Sequence, residues 1–224
     1  MRFAFTDEQE ELRSQAHGFL EEFSSSEAVR KAMESDAGYD PELWGQISAE
    51  LGWSSVVIPE EFGGLGLSYV ELIALMEEMG AALLCAPFLS SVCLAGNALI
   101  IGGTEEQKKQ YLPGIAEGAT TGTLAYMESN GRPEASGIEA VARREGGDYV
   151  LSGAKSFVLD GHTAELLLVA ARREGSSGKE GVSLFVVPAE SPGLERRPLP
   201  TMDQTRKQAE LRLDDVRIPA SALM

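Results

Sequence analysis

Residues Gly103–Gly118 read GTEEQKKQYLPGIAEG, and the chain changes character on either side of them. Thr104-Glu105-Glu106-Gln107 is a helix-opening box, in which a threonine hydroxyl and a glutamine three residues on satisfy each other's ends of a first turn. Signals of the same kind fill everything upstream. Thr6-Asp7-Glu8-Gln9 forms another such box, followed by Leu12, Ala16, Phe19, Leu20 and Phe23 at helical spacing. Asp40-Pro41 sets a cap before a first-turn proline, and the helix through Leu43, Trp44 and Ile47 is expected to stop near Gly52. Ser68-x-x-Glu71 opens a further helix, with Leu72, Leu75, Met76 and Met79 on one face and Gly80 as its stop. Between these last two, Pro59–Gly66 (PEEFGGLG) is too rich in glycine for a helix.

Downstream the pattern is different. Short β-rich runs, Tyr149–Leu151, Leu166–Ala170 and Val182–Val187, alternate with turn chemistry. Glu145-Gly146-Gly147-Asp148 predicts a hairpin turn and Gly175-Ser176-Ser177-Gly178 a mobile loop. Strands this short and this close predict a small antiparallel barrel or sandwich. The expected architecture is therefore α+β: an all-α N-terminal domain over residues 1–119, then a small β-domain over 120–224. The sequence has no internal repeat.

Composition narrows the function classes. With 43% hydrophobic and 24% charged residues, the chain reads as an ordinary globular protein. No apolar run reaches the roughly 18–20 residues of a membrane span. The N-terminus, MRFAFTDEQEELR, turns acidic at once and lacks the apolar core of a signal peptide. A cytoplasmic protein without membrane partners is expected. The net charge of −16 argues against nucleic-acid binding, and it is unevenly spread. Residues 1–120 hold 20 acidic against 6 basic residues, a net of −14; the remainder holds 15 against 13, a net of −2. The second half is thus the one able to accept phosphate groups.

Taken singly, the residues offer little catalysis. Neither His17 nor His162 lies near a cysteine or a paired carboxylate at a useful spacing, so both read as boundary residues. Cys85 and Cys93 share an apolar stretch without a metal-spaced partner and read as buried free thiols. Gly63-Gly64-Leu65-Gly66 has the look of a phosphate loop, but no strand leads into it, and a structural turn is the ordinary reading. Asp214-Asp215 reads as solvated charge on a strand edge.

Four segments taken together resemble acyl-CoA dehydrogenases, in order and across the chain. They are Pro59–Gly66, Gly103–Gly118, Gly153–Gly161 (GAKSFVLDG) and Leu211–Ala220 (LRLDDVRIPA). The resemblance implies FAD, an acyl-CoA substrate, α,β-desaturation of the thioester, a place in fatty acid metabolism, and a homo- or hetero-oligomer. It also implies that two β-domain segments face the flavin. The first, usually aromatic-x-x-Thr-Glu-Pro-x-x-Gly-Ser-Asp, falls on Leu124–Glu134 (LAYMESNGRPE). Glu128 keeps the family's acid, Met127 replaces its threonine and Ser129 its proline. Arg132 and Pro133 occupy the Gly-Ser pair that meets phosphate. The second segment, usually Trp-Ile-Thr, is Phe157-Val158-Leu159. Leu124, Tyr126, Met127, Glu128, Phe157, Val158 and Leu159 are thus the implied cofactor-binding residues, four polar contacts having been lost or displaced among these segments. The family's catalytic glutamate lies in a C-terminal helical domain and is assigned to no residue here. Arg206 is a candidate substrate contact, with a structural ion pair to Asp203 as the competing role. A degenerate, non-catalytic subunit of a hetero-oligomer, or a flavin oxidase or hydroxylase on the same scaffold, are the alternative functions. No metal site is implied.

Overall fold

The computed structural model describes residues 4–224; the first three residues of the N-terminal run discussed above lie outside that range. The capping signals set the helices. Thr6 and Gln9 close a reciprocal box at the start of α1 (Asp7–Phe23). Ser25 caps α2 (Ser26–Glu34), and Asp40 caps α3 (Pro41–Gly45), which runs on into a wider turn over Gln46–Glu50. Gly52 then turns the chain at φ +68°. Ser68 and Glu71 box α4 (Tyr69–Ala81). Gly80 does not stop α4 as the sequence predicts: it stays helical, and Leu83 makes the left-handed turn at φ +51°. Wide turns over Leu89–Gly96 lead into α5 (Asn97–Gly102), and Thr104 and Gln107 box α6 (Glu105–Ala116). Among the described residues no helix is long and apolar enough to cross a membrane.

The PEEFGGLG segment is a turn whose backbone looks inward. The amides of Leu65, Gly66 and Leu67 donate to Ser55, Ile58 and Val56 carbonyls, leaving none of the three for a phosphate. Gly64 is obligatory, because a Cβ there would stand 1.8 Å from the Ile58 oxygen.

The first strand, β1 (Gly122–Ala125), begins shortly after α6. The remaining strands are β2 (Val141–Glu145), β3 (Asp148–Leu159), β4 (Leu166–Arg173), β5 (Val182–Pro188), β6 (Leu194–Leu199) and β7 (Gln208–Pro219). Glu145 pairs with Asp148, so the Gly146-Gly147 hairpin forms where expected. The predicted antiparallel pairing holds for β2–β3, β3–β7, β6–β7 and β4–β5. It does not hold throughout, because β1 and β2 both run parallel to β4 along one edge. The sheet is mixed and curled. Leu166–Ala171 is buried without alternation, as a strand covered on both faces must be.

Individual donors tie the helices to the sheet. His162 Nε2 lies 2.9 Å from the Asp36 carbonyl, Lys207 donates to Met33, and Ser90 donates to the Asp160 carboxyl at 2.6 Å. Gln107, buried on α6, donates to the carbonyls of Ser221 and Leu223 at 2.8 and 3.1 Å. His17 pairs with the buried Glu78 of α4 at 2.9 Å. Cys85 and Cys93 are free; burial pushes the Cys93 thiol up to about 11.

Candidate functional site

The two sequence-predicted segments meet. The Ser156 amide donates to the Met127 carbonyl at 2.9 Å, and the Thr123 hydroxyl donates to the Leu159 carbonyl at 2.6 Å. The end of β3 therefore lies against β1 and the extended residues that follow it.

Each side chain takes a definite place there. In β1, Thr123 and Ala125 point into the core while Leu124 is half-buried; beyond the strand, Tyr126 is 37% exposed. In β3 the register slips between Lys155 and Val158, and Phe157 sits in that bulge at φ +58°. Its neighbours Ser156 and Val158 are buried and Phe157 is 50% exposed. A bulky residue at positive φ is an outlier, costing on the order of 1–3 kcal/mol, and such strain concentrates at functional positions. The Val158 side chain is buried in the core. Met127 and Leu159 are half-buried, with carbonyls occupied as described.

Glu128 looks inward. Its carboxylate accepts the amides of Glu139 and Ala140 at 2.9 and 3.0 Å and the Lys155 ammonium at 2.6 Å. Lys155 is completely buried, and burial pulls its pKa down while the hydrogen bond it donates to Glu128 opposes that fall. Sequence reasoning missed Lys155, because a lysine in a strand carries no local sign of burial and its acid lies 27 residues upstream. The pair fixes both ends of the loop 129–138, where the Gly-Ser pair of the resemblance would lie.

Arg132 spends its polar groups within that loop. Arg132 pairs with Glu134 at 2.9 Å and reaches the Ser136 hydroxyl, and the Arg132 amide donates to Asn130. Pro133 has no amide to offer. The neighbouring loop, Gly175–Gly178, was expected to be mobile; Arg172 holds it, donating to the carbonyls of Ser176 and Gly178 and also to Ile138.

Arg206 lies elsewhere. Its guanidinium donates to the carbonyls of Leu84 and Thr205, both at 2.8 Å. The expected ion pair with Asp203 does not form, because Asp203 turns back on the Thr205 amide and hydroxyl. Asp215 carries its charge on the surface, accepting from Ser152 and Arg143. Among the described residues no group of three metal-ligating side chains occurs.

As a surface for a flavin, these residues fit in part. Tyr126 and Phe157 expose aromatic surface on the two segments that meet, and Leu124 is half-buried. At the two positions of the family's Gly-Ser pair, Arg132 has its amide and guanidinium engaged within the loop and Pro133 has no amide to donate.

Comparison with known proteins shows the family. A family profile described as acyl-CoA dehydrogenase, N-terminal domain, matches residues 6–119, and one for the middle domain of the same family matches residues 123–216. The chain is 36% identical to acyl-CoA dehydrogenase FadE12 of Mycobacterium tuberculosis over 99% of its length, and spans 57% of that relative. Among solved structures it is similar to the ChsE4–ChsE5 complex from Mycobacterium tuberculosis, with TM-score 0.88 and 26% identity, over 100% of this chain and 58% of that one. A glutaryl-CoA dehydrogenase from Mycobacterium smegmatis in complex with FADH2 matches with TM-score 0.84 and 26% identity, over 98% of this chain and 55% of that one.

Proposed function

The chain belongs to the acyl-CoA dehydrogenase family, and on that premise we propose that it supplies the ring-facing β wall of an FAD-dependent α,β-desaturation of an acyl-CoA thioester. The observation that carries this reading is Phe157, half-exposed on a strained backbone beside the segment that bears Tyr126. Bound flavin would supply the hydride acceptor. Tyr126, Phe157 and Leu124 offer it an apolar face and exclude water from that side. Glu128 and Lys155 act at one remove, holding the two segments together. No residue of this chain is given the role of base, and the chain spans little more than half of its relatives.

A second reading has its own support. Met127, Pro133 and Leu159 lack the hydroxyls of the family pattern, and Arg132 is engaged by Glu134. These features favour a chain that works beside a catalytic partner and grips FAD weakly alone. Leu65, Leu67, Tyr69, Val70 and Ile73 are each exposed over a short span ending in α4, which supports an oligomer of like or unlike chains. The place of the domain boundary near residue 120 and a cytoplasmic location remain part of the same proposal.

Titration of the purified chain with FAD, read by flavin fluorescence, tests the wall. Binding weaker than micromolar that drops at least fivefold in both Phe157→Ala and Tyr126→Ala is expected. Binding indifferent to both substitutions would sink the assignment. Oxygen uptake on addition of FAD and acyl-CoA would instead indicate oxidase chemistry.

A further inference from the structure

The mouth of the curled sheet lies at the opposite end of β3 from Phe157. Strand pairing brings its residues together. Arg144 of β2 stands across from Tyr149 of β3, and Ala142 of β2 neighbours Arg173 of β4. On β5, Ser183 and Phe185 stand across from Ala171 and Val169. Side chains alternate along a strand, so Ala142 and Arg144 share one face, as do Ala171 and Arg173. That face is the inner one: Ala142, Ala171 and Phe185 belong to the core. Arg144 and Arg173 therefore rim the opening, with Cα atoms roughly 8 Å apart by strand geometry. Between them is a cavity of about 300 Å³ whose lining includes Ala142, Tyr149, Ser183 and Phe185. The Tyr149 and Phe185 rings meet edge to face at 5.1 Å and form its wall.

Charge is partitioned across the two faces of the hairpin. On the outer face Arg143 and Arg217 are paired with Glu145, Asp148 and Asp215. Among the described residues Arg144 and Arg173 join no ion pair and no side-chain hydrogen bond, and no acid lines the cavity. Two uncompensated guanidinium groups at one opening stand out in a chain of net charge −16. Mouths of closed or curled sheets are frequent ligand sites, and this volume is at the small end of such pockets.

We propose that this mouth binds a small phosphate monoester with a flat apolar body. The phosphate sits between Arg144 and Arg173 and the body rests on Tyr149 and Phe185. Phosphate suits the rim better than carboxylate, because its three oxygens and double charge can engage two guanidinium forks at once. The site is separate from the flavin-facing segments and does not depend on them.

Calorimetric titration of the full chain with phenyl phosphate, inorganic phosphate, benzoate and phenol tests this. Phenyl phosphate is expected to bind at least tenfold more tightly than each of the other three. Arg144→Gln and Arg173→Gln should each weaken it at least tenfold; both side chains are exposed, so folding is unaffected. Arg143→Gln, on the outer face, and Phe157→Ala should leave it unchanged. Equal binding of inorganic and phenyl phosphate would remove the aromatic wall from the proposal, and tighter benzoate would remove the phosphate. Failure to bind at millimolar ligand, or indifference to both inner-face substitutions, would overturn it altogether.

Discussion

Replacing Glu128 by glutamine should be far more damaging than its neutral chemistry suggests. The Lys155 ammonium is fully buried, and Glu128 is its sole side-chain acceptor among the described residues. Removing one partner of a buried pair costs about 3–5 kcal/mol, because the other charge stays behind uncompensated. Glutamine can still accept from the Glu139 or Ala140 amide, so the loss should fall near the low end, about 3 kcal/mol. Glu128→Ala leaves both amides unsatisfied as well, at roughly 1–3 kcal/mol each, which approaches the whole stability of a typical domain. The double variant Glu128→Gln, Lys155→Met should recover most of the loss, since an apolar replacement of a buried pair is often neutral. The pH dependence has a definite sign. Burial already lowers the Lys155 pKa, and Glu128 opposes that fall. Without the carboxylate the folded pKa drops further below the unfolded value. The folded state then sheds its proton first as pH rises, so Glu128→Gln should regain stability toward pH 10 relative to the parent. Urea unfolding at pH 7 and pH 9.5, followed by circular dichroism, measures both effects. A loss under 1 kcal/mol at pH 7, or a deficit that widens at alkaline pH, would refute the reasoning.

Phe157→Gly should relieve the positive-φ strain and raise the unfolding midpoint slightly, while weakening flavin binding; a variant that loses stability and keeps its affinity would contradict the role given to Phe157. The chain alone should emerge from gel filtration without near-stoichiometric FAD. The lost ring and phosphate contacts remove about 2.5–6 kcal/mol, or roughly two to four decades of affinity. Restoring Met127→Thr, Pro133→Ser and Leu159→Thr together should recover part of it, and a yellow parent preparation would disprove the estimate. Acid should destabilise the fold through Glu71, whose carboxyl is held down to about 2 by the Ser68 hydroxyl and then by Gln9. Its contribution is present above the unfolded value near 4.5 and is lost as pH falls toward 2, so Glu71→Gln should flatten the thermal midpoint across that window. An unchanged slope would count against it. Light scattering at high concentration should detect association through the Leu65–Ile73 face, and a strict monomer would speak against an oligomer.

The helices were legible because their determinants are local. Thr6, Ser68 and Thr104 each sit three residues from the side chain that completes the box, and all three boxes form. The Gly146-Gly147 hairpin was legible for the same reason. Parallel pairing of β1 and β2 with β4 was not, since its partners are tens of residues apart and the strands carry no sign of direction. The stop of α4 falls one residue beyond Gly80, at Ala81, because Gly80 offers freedom without requiring it to be used, and the left-handed turn is made by Leu83 instead. At the site, the family pattern located the two segments that meet, but not which way their side chains turn. The register slip that exposes Phe157 and buries Val158 belongs to the sheet, and the partner of Glu128 is an ordinary strand lysine until the fold closes over it.

Gln107 has a consequence for timing. Its side-chain oxygen caps its own helix, while its amide waits for the Ser221 and Leu223 carbonyls, made 114 and 116 residues later. At synthesis rates of about 5–20 residues per second, that interval is roughly 6–23 s. Throughout it, α6 stands complete as a helix with one buried-to-be donor facing water, and the strands that will cover it do not yet exist. The helical half thus leaves the ribosome as an unfinished surface, which the nascent β half must reach before another chain does. Expression yield, more than catalytic rate, is where a Gln107→Ala chain should betray itself.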